Sequence, residues 1–307
     1  LNLLKSTGKI TEDFYLLLNA EIPLFLADGD NPVAFDAGFA CLGPFYAEAI
    51  GKVLGRRPLK ELWLTHSHYD HCGAAGYLQK HLEGLAVGAA PGAARVMERP
   101  GAVAVISQLS KVAHAMMKDE FGLEAPDIDF VPYRVDRVLR EGFEFEISRR
   151  LSIKVIETPG HTRDCLSFYL PQIKALISSE AAGIPDVTGY IYADFLVDYD
   201  LYRASLEKLA GLDLAFVCVG HGGVIAGPDA AGYIQKAASQ CADFKNQVER
   251  LLDEEHGDMD KVMAKVRACE YDPKPNPKQP EPAYLLNLKA RVAAIHKRLC
   301  DQSRADA

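Results

Sequence analysis

The stretch "LTHSHYDHCG" (64–73) follows the apolar run "LKELW" (59–63) and places three histidines and an aspartate within six positions. On an extended or turning backbone, residues two apart point the same way, so His66 and His68 are set to grip one ion. Asp70 and His71 come just after, where the chain turns into a helix, and are set to face a second ion. A divalent metal takes neutral imidazole and carboxylate oxygen together, and this segment supplies both. Cys72 directly follows His71 and is expected to pack inward as a small apolar group rather than act as a thiolate ligand.

Two further histidines stand at equivalent places. "IETPGHTRDC" puts His161 in a Pro-Gly turn after an apolar run, and "FVCVGHGGV" puts His221 in a Gly-flanked turn after another. Glycines there let the backbone bring a side chain close to an ion. Together these turns hold five of the nine histidines. The other four, His81, His114, His256 and His296, fall in helix-like stretches and need no metal.

Working outward, strand-like and helix-like segments alternate over the first 225 or so residues. "FYLLLNAEIPLFLADG" (14–29) reads as two strands around a turn, and "PVAFDAG" (32–38) as a third. Helices are expected over 43–55 and 71–82, with one or two more between 91 and 121. Strands return in "YRVDRVL", "FEFEI", "LSIKVIETP", "CLSFYL" and "ALISSE". A helix over about 200–210 and a strand in "AFVCVGH" (215–221) close this part. Strands in two batches imply an α/β (α+β) fold with two sheets and helices packed outside them, rather than one doubly wound sheet. Residues 1–228 form the expected main domain. Residues 229–307 read as a helical C-terminal cap that is not independent, interrupted by the Pro-rich connector "DPKPNPKQPEP" (272–282).

With 307 residues, 49% hydrophobic and 25% charged, the chain has the balance of a globular protein. A net charge of −8 lacks the basic excess that nucleic acid usually requires. No apolar stretch approaches the roughly 20 residues that span a bilayer, so a membrane is not an expected partner. The opening stretch lacks the basic end and long apolar core of a secretory signal, and the seven cysteines are scattered. A cytoplasmic protein is expected.

"THSHYDHCG", "PGHT" and "GHGG", in that order and spacing, resemble the metallo-β-lactamase-fold hydrolases over roughly residues 10 to 225. The resemblance implies a four-layer αββα sandwich with two divalent metal ions at one edge of the paired sheets. It implies that His66, His68 and His161 hold one ion, and that Asp70, His71 and His221 hold the other. The family's bridging residue is normally an Asp. Here the matching stretch "ALISSEAAG" (175–183) offers Glu180, with Asp186 and Asp194 as rivals further along. Asp36, in "AFDAG" (34–38), stands where the family ends an early strand in Asp-x-Gly. It either supports the site from behind or simply forms a turn.

Nitrogen and oxygen ligands suit zinc first, with iron or manganese also possible. Two ions a few ångströms apart can share one hydroxide, which attacks a carbonyl that one of them polarises, with Asp70 orienting it or moving its proton. The expected activity is a hydrolase for a small-molecule thioester or ester. The first motif and the long helical tail look most like the branch containing the quinolone-signal response thioesterase, where C-terminal helices cap the metal site. A lactonase of the same fold is the alternative, with Tyr190 or Tyr192 as a donor to the leaving alkoxide, although packing is the plainer role for both. A metal-bound regulatory protein with incidental hydrolysis is the second alternative. The tail can equally serve a homodimer.

Overall fold

The computed structural model describes residues 1–122 and 124–305. Its strands are β1 (Leu3–Leu4), β2 (Gly8–Thr11), β3 (Phe14–Leu17), β4 (Leu24–Ala27), β5 (Val33–Phe35), β6 (Glu61–Trp63), β7 (Ala86–Ala89) and β8 (Arg137–Val138), followed by β9 (Glu144–Ser148), β10 (Leu151–Glu157), β11 (Leu166–Leu170), β12 (Ala175–Ile177), β13 (Ile184–Pro185), β14 (Ile191–Tyr192), β15 (Phe216–Cys218) and β16 (Val224–Ala226). The helices are α1 (Gly43–Leu54), α2 (Tyr69–Cys72), α3 (Ala75–His81), α4 (Pro91–Met97), α5 (Pro100–Phe121), α6 (Tyr199–Leu209), α7 (Pro228–Ala231), α8 (Tyr233–Glu254), α9 (Met259–Glu270) and α10 (Glu281–Ala305).

Two seven-stranded sheets form, in the orders β2-β3-β4-β5-β6-β7-β8 and β1-β16-β15-β12-β11-β10-β9. Both faces of each sheet are apolar, and the period-2 alternation of side chains decides which core each residue enters. Phe14 and Leu16 of β3, Phe25 of β4, Phe35 of β5 and Trp63 of β6 meet Ile153 and Val155 of β10, Phe168 of β11 and Ile177 of β12 between the sheets. The opposite face of the first sheet, with Leu24, Leu26, Ala34 and Leu62, is covered by α1, α3, α4 and α5 through Ile50, Leu78, Ala93 and Ile106. The outer face of the second sheet, with Ile156, Leu176, Val217 and Ile225, is covered by α6, α8, α9 and α10. These three clusters fill the three interfaces of a helix–sheet–sheet–helix sandwich, the mixed two-sheet architecture expected from the sequence.

Parallel pairing sets where the strands end. β5 lies parallel to β6, with Phe35 opposite Trp63, and β12 lies parallel to β15, with Ile177 opposite Cys218. β11 is antiparallel to both β10 and β12, so those two also run the same way. The C-terminal ends of the strands that precede the motifs therefore gather at one edge of the sandwich. There the Leu166 N–H donates to the Thr65 carbonyl at 2.7 Å and stitches the two sheets together.

Some boundaries differ from those read in the sequence. The helix expected over 71–82 is two helices, α2 and α3. The Gly73 and Ala74 N–H groups donate to the carbonyls of Gly38 and Ala37 rather than continuing one helix. A β-carbon on Gly73 would lie 2.5 Å from the Gly38 carbonyl oxygen, so only glycine allows that approach. "YRVDRVL" contributes only the short β8, and the tail, whose sequence reads as a helix over 229–255, begins instead with two, α7 and α8, separated at Gly232. β1 joins β16 in the second sheet, and β13 and β14 form a separate hairpin. Among the described residues no helix is long and apolar enough to cross a membrane.

Candidate metal centre

The loop after β6 carries His66 and His68, and α2 carries Asp70 and His71. His161 follows β10, Glu180 sits in a 3-10 turn after β12, and His221 follows β15. Residues from 66 to 221 thus meet at one edge. Ligand atoms of His66, His68 and His161 lie within 4.8 Å of one another, as do those of Asp70, His71 and His221, and those of His66, His71 and Glu180. The first two groups are the expected ligand sets, and the third joins them.

Glu180 spans the gap. Its Oε1 is 3.0 Å from His71 Nε2 and 3.3 Å from His221 Nε2, while its Oε2 is 3.7 Å from His66 Nε2. One oxygen thus faces each ligand set. The extra methylene of a glutamate finds room because residue 220 is glycine: a β-carbon there would sit 2.0 Å from Glu180 Oε1. Ser179, at φ 48°, donates to Glu180 Oε2 at 2.5 Å. The rivals stand elsewhere. Asp186 pairs with Lys274 at 2.9 Å, and Asp194 stands behind His161.

Each imidazole that offers Nε2 is held through its other nitrogen. His161 Nδ1 donates to the Asp194 carbonyl at 2.7 Å, and His221 Nδ1 to the Glu21 carbonyl at 2.6 Å. A carbonyl only accepts, so both rings carry a proton on Nδ1 and turn Nε2 inward. His66 Nδ1 lies 3.0 Å from Thr65 Oγ1, and His71 Nδ1 lies 3.0 Å from Asp36 Oδ2. Asp36, at φ 59°, also accepts from the Thr65 N–H at 2.8 Å. Of its two sequence readings, support from behind the site is the one the structure adopts. His68 instead points Nδ1 inward, 3.1 Å from His161 Nε2.

Four of the inward atoms lack hydrogen bonds of their own. His66 Nε2, His71 Nε2, Asp70 Oδ1 and Glu180 Oε1 are buried without a partner. Even the 3.0 Å approach of His71 Nε2 to Glu180 Oε1 does not meet the directional requirements of a hydrogen bond. Leaving one buried polar atom unpaired costs about 1–3 kcal/mol, so these four, spread over the neighbouring groups, call for partners. Cations held by those groups would be such partners, and the donor set fits divalent metals.

Electrostatics agree with that division. Burial, reinforced by neighbouring imidazoles, pushes His66 well below the ordinary histidine range and His68 down to about 4. Burial lowers His161 too, so the first ligand set is neutral and ready to coordinate. Around the second set, burial works against the charged carboxylates, but His71 and His221 outweigh it and hold Asp70 and Glu180 ionised. Burial likewise opposes charge on His221, yet Asp70 and Glu180 raise it to about 9. The same two carboxylates hold His71 well above the ordinary histidine range against its burial, so this end of the site favours positive charge.

Thr65, Ser179 and the Glu21 carbonyl have no role in the sequence reading, though Thr65 and Ser179 lie inside quoted motifs; Gly220 reads there as a glycine beside His221, not as room for Glu180. Cys72 is fully buried, as expected. His81 and His114 bond to the Tyr77 and Ala125 carbonyls, and His296 lies beside Cys300, all away from the site.

Comparison with known proteins yields the same answer. The architecture resembles a metallo-β-lactamase family protein of Thermus thermophilus, at 21% identity and TM-score 0.64, over 96% of this chain and 95% of that one. It also resembles a metallo-β-lactamase superfamily protein of Sulfolobus tokodaii, at 17% identity and TM-score 0.56, over 90% and 92% of the two chains. A subclass B3 metallo-β-lactamase of Bradyrhizobium japonicum aligns at 18% identity and TM-score 0.56, over 81% of this chain and 96% of its own. These likenesses establish the fold. Residues 24–221, from β4 to the last of the gathered histidines, match the family described as Metallo-beta-lactamase superfamily, and the chain belongs to that superfamily.

Proposed function

We propose that the protein is a dinuclear metallohydrolase that cleaves a carboxylic thioester or ester, with an acyl thioester the best-supported substrate. One observation carries the reading: two ligand sets, each of three residues, share Glu180 between them, with their free electron pairs converging. His66, His68 and His161 would hold one divalent ion, zinc being the first expectation, and Asp70, His71 and His221 the other, with Glu180 reaching both. Such ions, when bound, supply an activated water and an electrophile for the acyl carbonyl.

The chain's own residues do the rest. Asp70 Oδ2 lies 3.4 Å from His221 Nε2, while Oδ1 is unpaired, so Oδ1 is the carboxylate oxygen placed to accept a proton. The thiol of a thioester, with pKa about 8.5, leaves as thiolate without a strong acid. A lactone's alkoxide needs a donor, and the two candidate tyrosines are engaged elsewhere. Tyr190 Oη donates to Glu270 Oε1 at 2.9 Å, and Tyr192 Oη to the Glu270 carbonyl at 3.4 Å. Their occupation favours the thioester over the lactone.

The test is turnover by protein loaded with zinc, iron or manganese on a panel of acyl thioesters, aryl esters, lactones and a β-lactam. Thioester hydrolysis should lead, and His68→Ala should lower it at least a thousandfold, several kcal/mol of barrier. No turnover of any ester, together with a protein partner captured at stoichiometric yield, would replace the enzyme reading with the regulatory one.

A further inference from the structure

The β13–β14 hairpin and the residues after it lead directly to Asp194, whose carbonyl orients His161. This segment is held by the C-terminal helices. Gln240 of α8 accepts from the Ile191 N–H at 2.7 Å. Glu270, at the end of α9, accepts from Tyr190 at 2.9 Å and from Tyr284 of α10 at 2.9 Å. Its two oxygens also pair with Arg291 at 3.0 and 2.7 Å. Asn287, one turn before Arg291 on α10, donates from Nδ2 to Asp194 Oδ2 at 3.3 Å. The Asp194 N–H adds a 3.4 Å bond to Tyr202 Oη, which in turn donates to the Glu180 carbonyl at 3.1 Å.

We infer that the C-terminal helices are a positioning element of the metal centre: Asn287, backed by the Glu270–Arg291 pair, fixes Asp194, and Asp194 fixes the proton and the ring plane of His161. The other held imidazoles are backed from the sandwich itself, His66 by Thr65, His71 by Asp36 and His221 by the Glu21 carbonyl. His161 alone among them is backed by a residue whose side chain is held from the tail. A tail that merely covers the site would leave the ring indifferent to Asn287. A positioning tail makes the first ligand set, and not the second, depend on it. The inference rests on His161 as a ligand, not on any substrate.

Asn287 is only partly buried, so replacing it should leave the fold intact. The test uses the full chain with Asn287→Ala and Asn287→Asp, and with Tyr190→Phe as an independent route to the same segment. Nitrogen-15 shifts of the His161 ring in metal-free protein report which nitrogen carries the proton, whether or not any activity is found. The wild type should show a single Nδ1–H form, and Asn287→Ala a mixture. Asn287→Asp, which sets a second carboxylate beside Asp194, should disturb the ring further. Zinc titration should show one of two sites weakened about 10-fold or more, the size typical of losing support behind a ligand, with the other unchanged. An unchanged ring signal in both Asn287 variants and in Tyr190→Phe would overturn the inference. So would equal weakening of both zinc sites.

Discussion

Two clusters of buried charge lie within this one molecule, and they are built in opposite ways. At the sheet edge, His66, Asp70, His71 and Glu180 each keep a buried polar atom without a hydrogen-bond partner, within two neighbouring groups. In the helical tail, each Glu270 carboxylate oxygen takes one tyrosine hydroxyl and one Arg291 nitrogen. Arg291 also stacks over Phe244, 4.3 Å from the ring centroid. The tail cluster is nearly complete, with only Arg291 Nε unpaired, and needs nothing more to exist. In the edge cluster, four buried polar atoms have no partner within the protein. Burial and perturbed charge are common to both, so neither property by itself marks a functional site. Grouped donors without hydrogen-bond partners are the distinguishing feature.

Each way of testing that contrast has an expected size. Breaking the tail cluster at one partner is the largest. Glu270→Ala leaves Arg291, 1% exposed, as a buried unpaired cation, and should cost about 3–5 kcal/mol of unfolding free energy by urea titration. A loss below about 1 kcal/mol would mean that the cluster is not the tail's anchor. Next comes completion of the edge cluster. A divalent ion at 100 times its dissociation constant should raise the stability of the wild type by about 2.7 kcal/mol, seen as a higher melting temperature. A His66→Ala/His71→Ala variant should lose most of that gain, and if it keeps it the ion binds elsewhere.

The bridge gives a smaller effect. Gly220→Ala must displace the Glu180 carboxylate from its place between the ligand sets, and should weaken one zinc site about 10-fold in calorimetric titration. Combining it with Glu180→Asp, which shortens the side chain by one methylene, should recover part of the loss. Additive losses in the double variant would show that the two residues are not matched.

The smallest effect is expected from a part-buried ion pair between the tail and the segment after β13. Lys274 lies 2.9 Å from Asp186 and 4.1 Å from the Tyr190 ring centroid. Burial raises the Asp186 carboxyl, but its bonds to Lys274 and Thr188 win and hold it below the usual range. A carboxyl lowered on folding stabilises above its unfolded pKa of about 3.9, and that contribution is lost as pH falls through the folded value. Asp186→Asn should therefore cost about 1 kcal/mol or less at pH 7, and the difference from wild type should shrink below about pH 4. A difference that persists in acid would assign the effect to packing instead.

Much of the edge cluster was legible because ligand chemistry imposes local patterns. His66 and His68 alternate on extended backbone, Asp70 and His71 open a helix, and glycines flank His161 and His221. The two-sheet architecture was legible for the same kind of reason, since strand and helix periods are local. The split between α2 and α3 was not. It depends on Gly73 meeting the Gly38 carbonyl from a segment thirty-odd residues earlier, which no local period records. The tail cluster was equally hidden. Glu270, Arg291, Tyr190 and Tyr284 read individually as ordinary helix and loop residues, and only their convergence makes a network.

The sequence by itself determined the kind of chemistry and its place at strand ends, because donor types and backbone periods are properties of short stretches of chain. Tertiary structure decided which donors come together, that Glu180 fits between them because Gly220 has no side chain, and that the tail reaches Asp194 behind His161. Those outcomes depend on distances between residues far apart along the chain, and such distances exist only once the sheets and helices have packed.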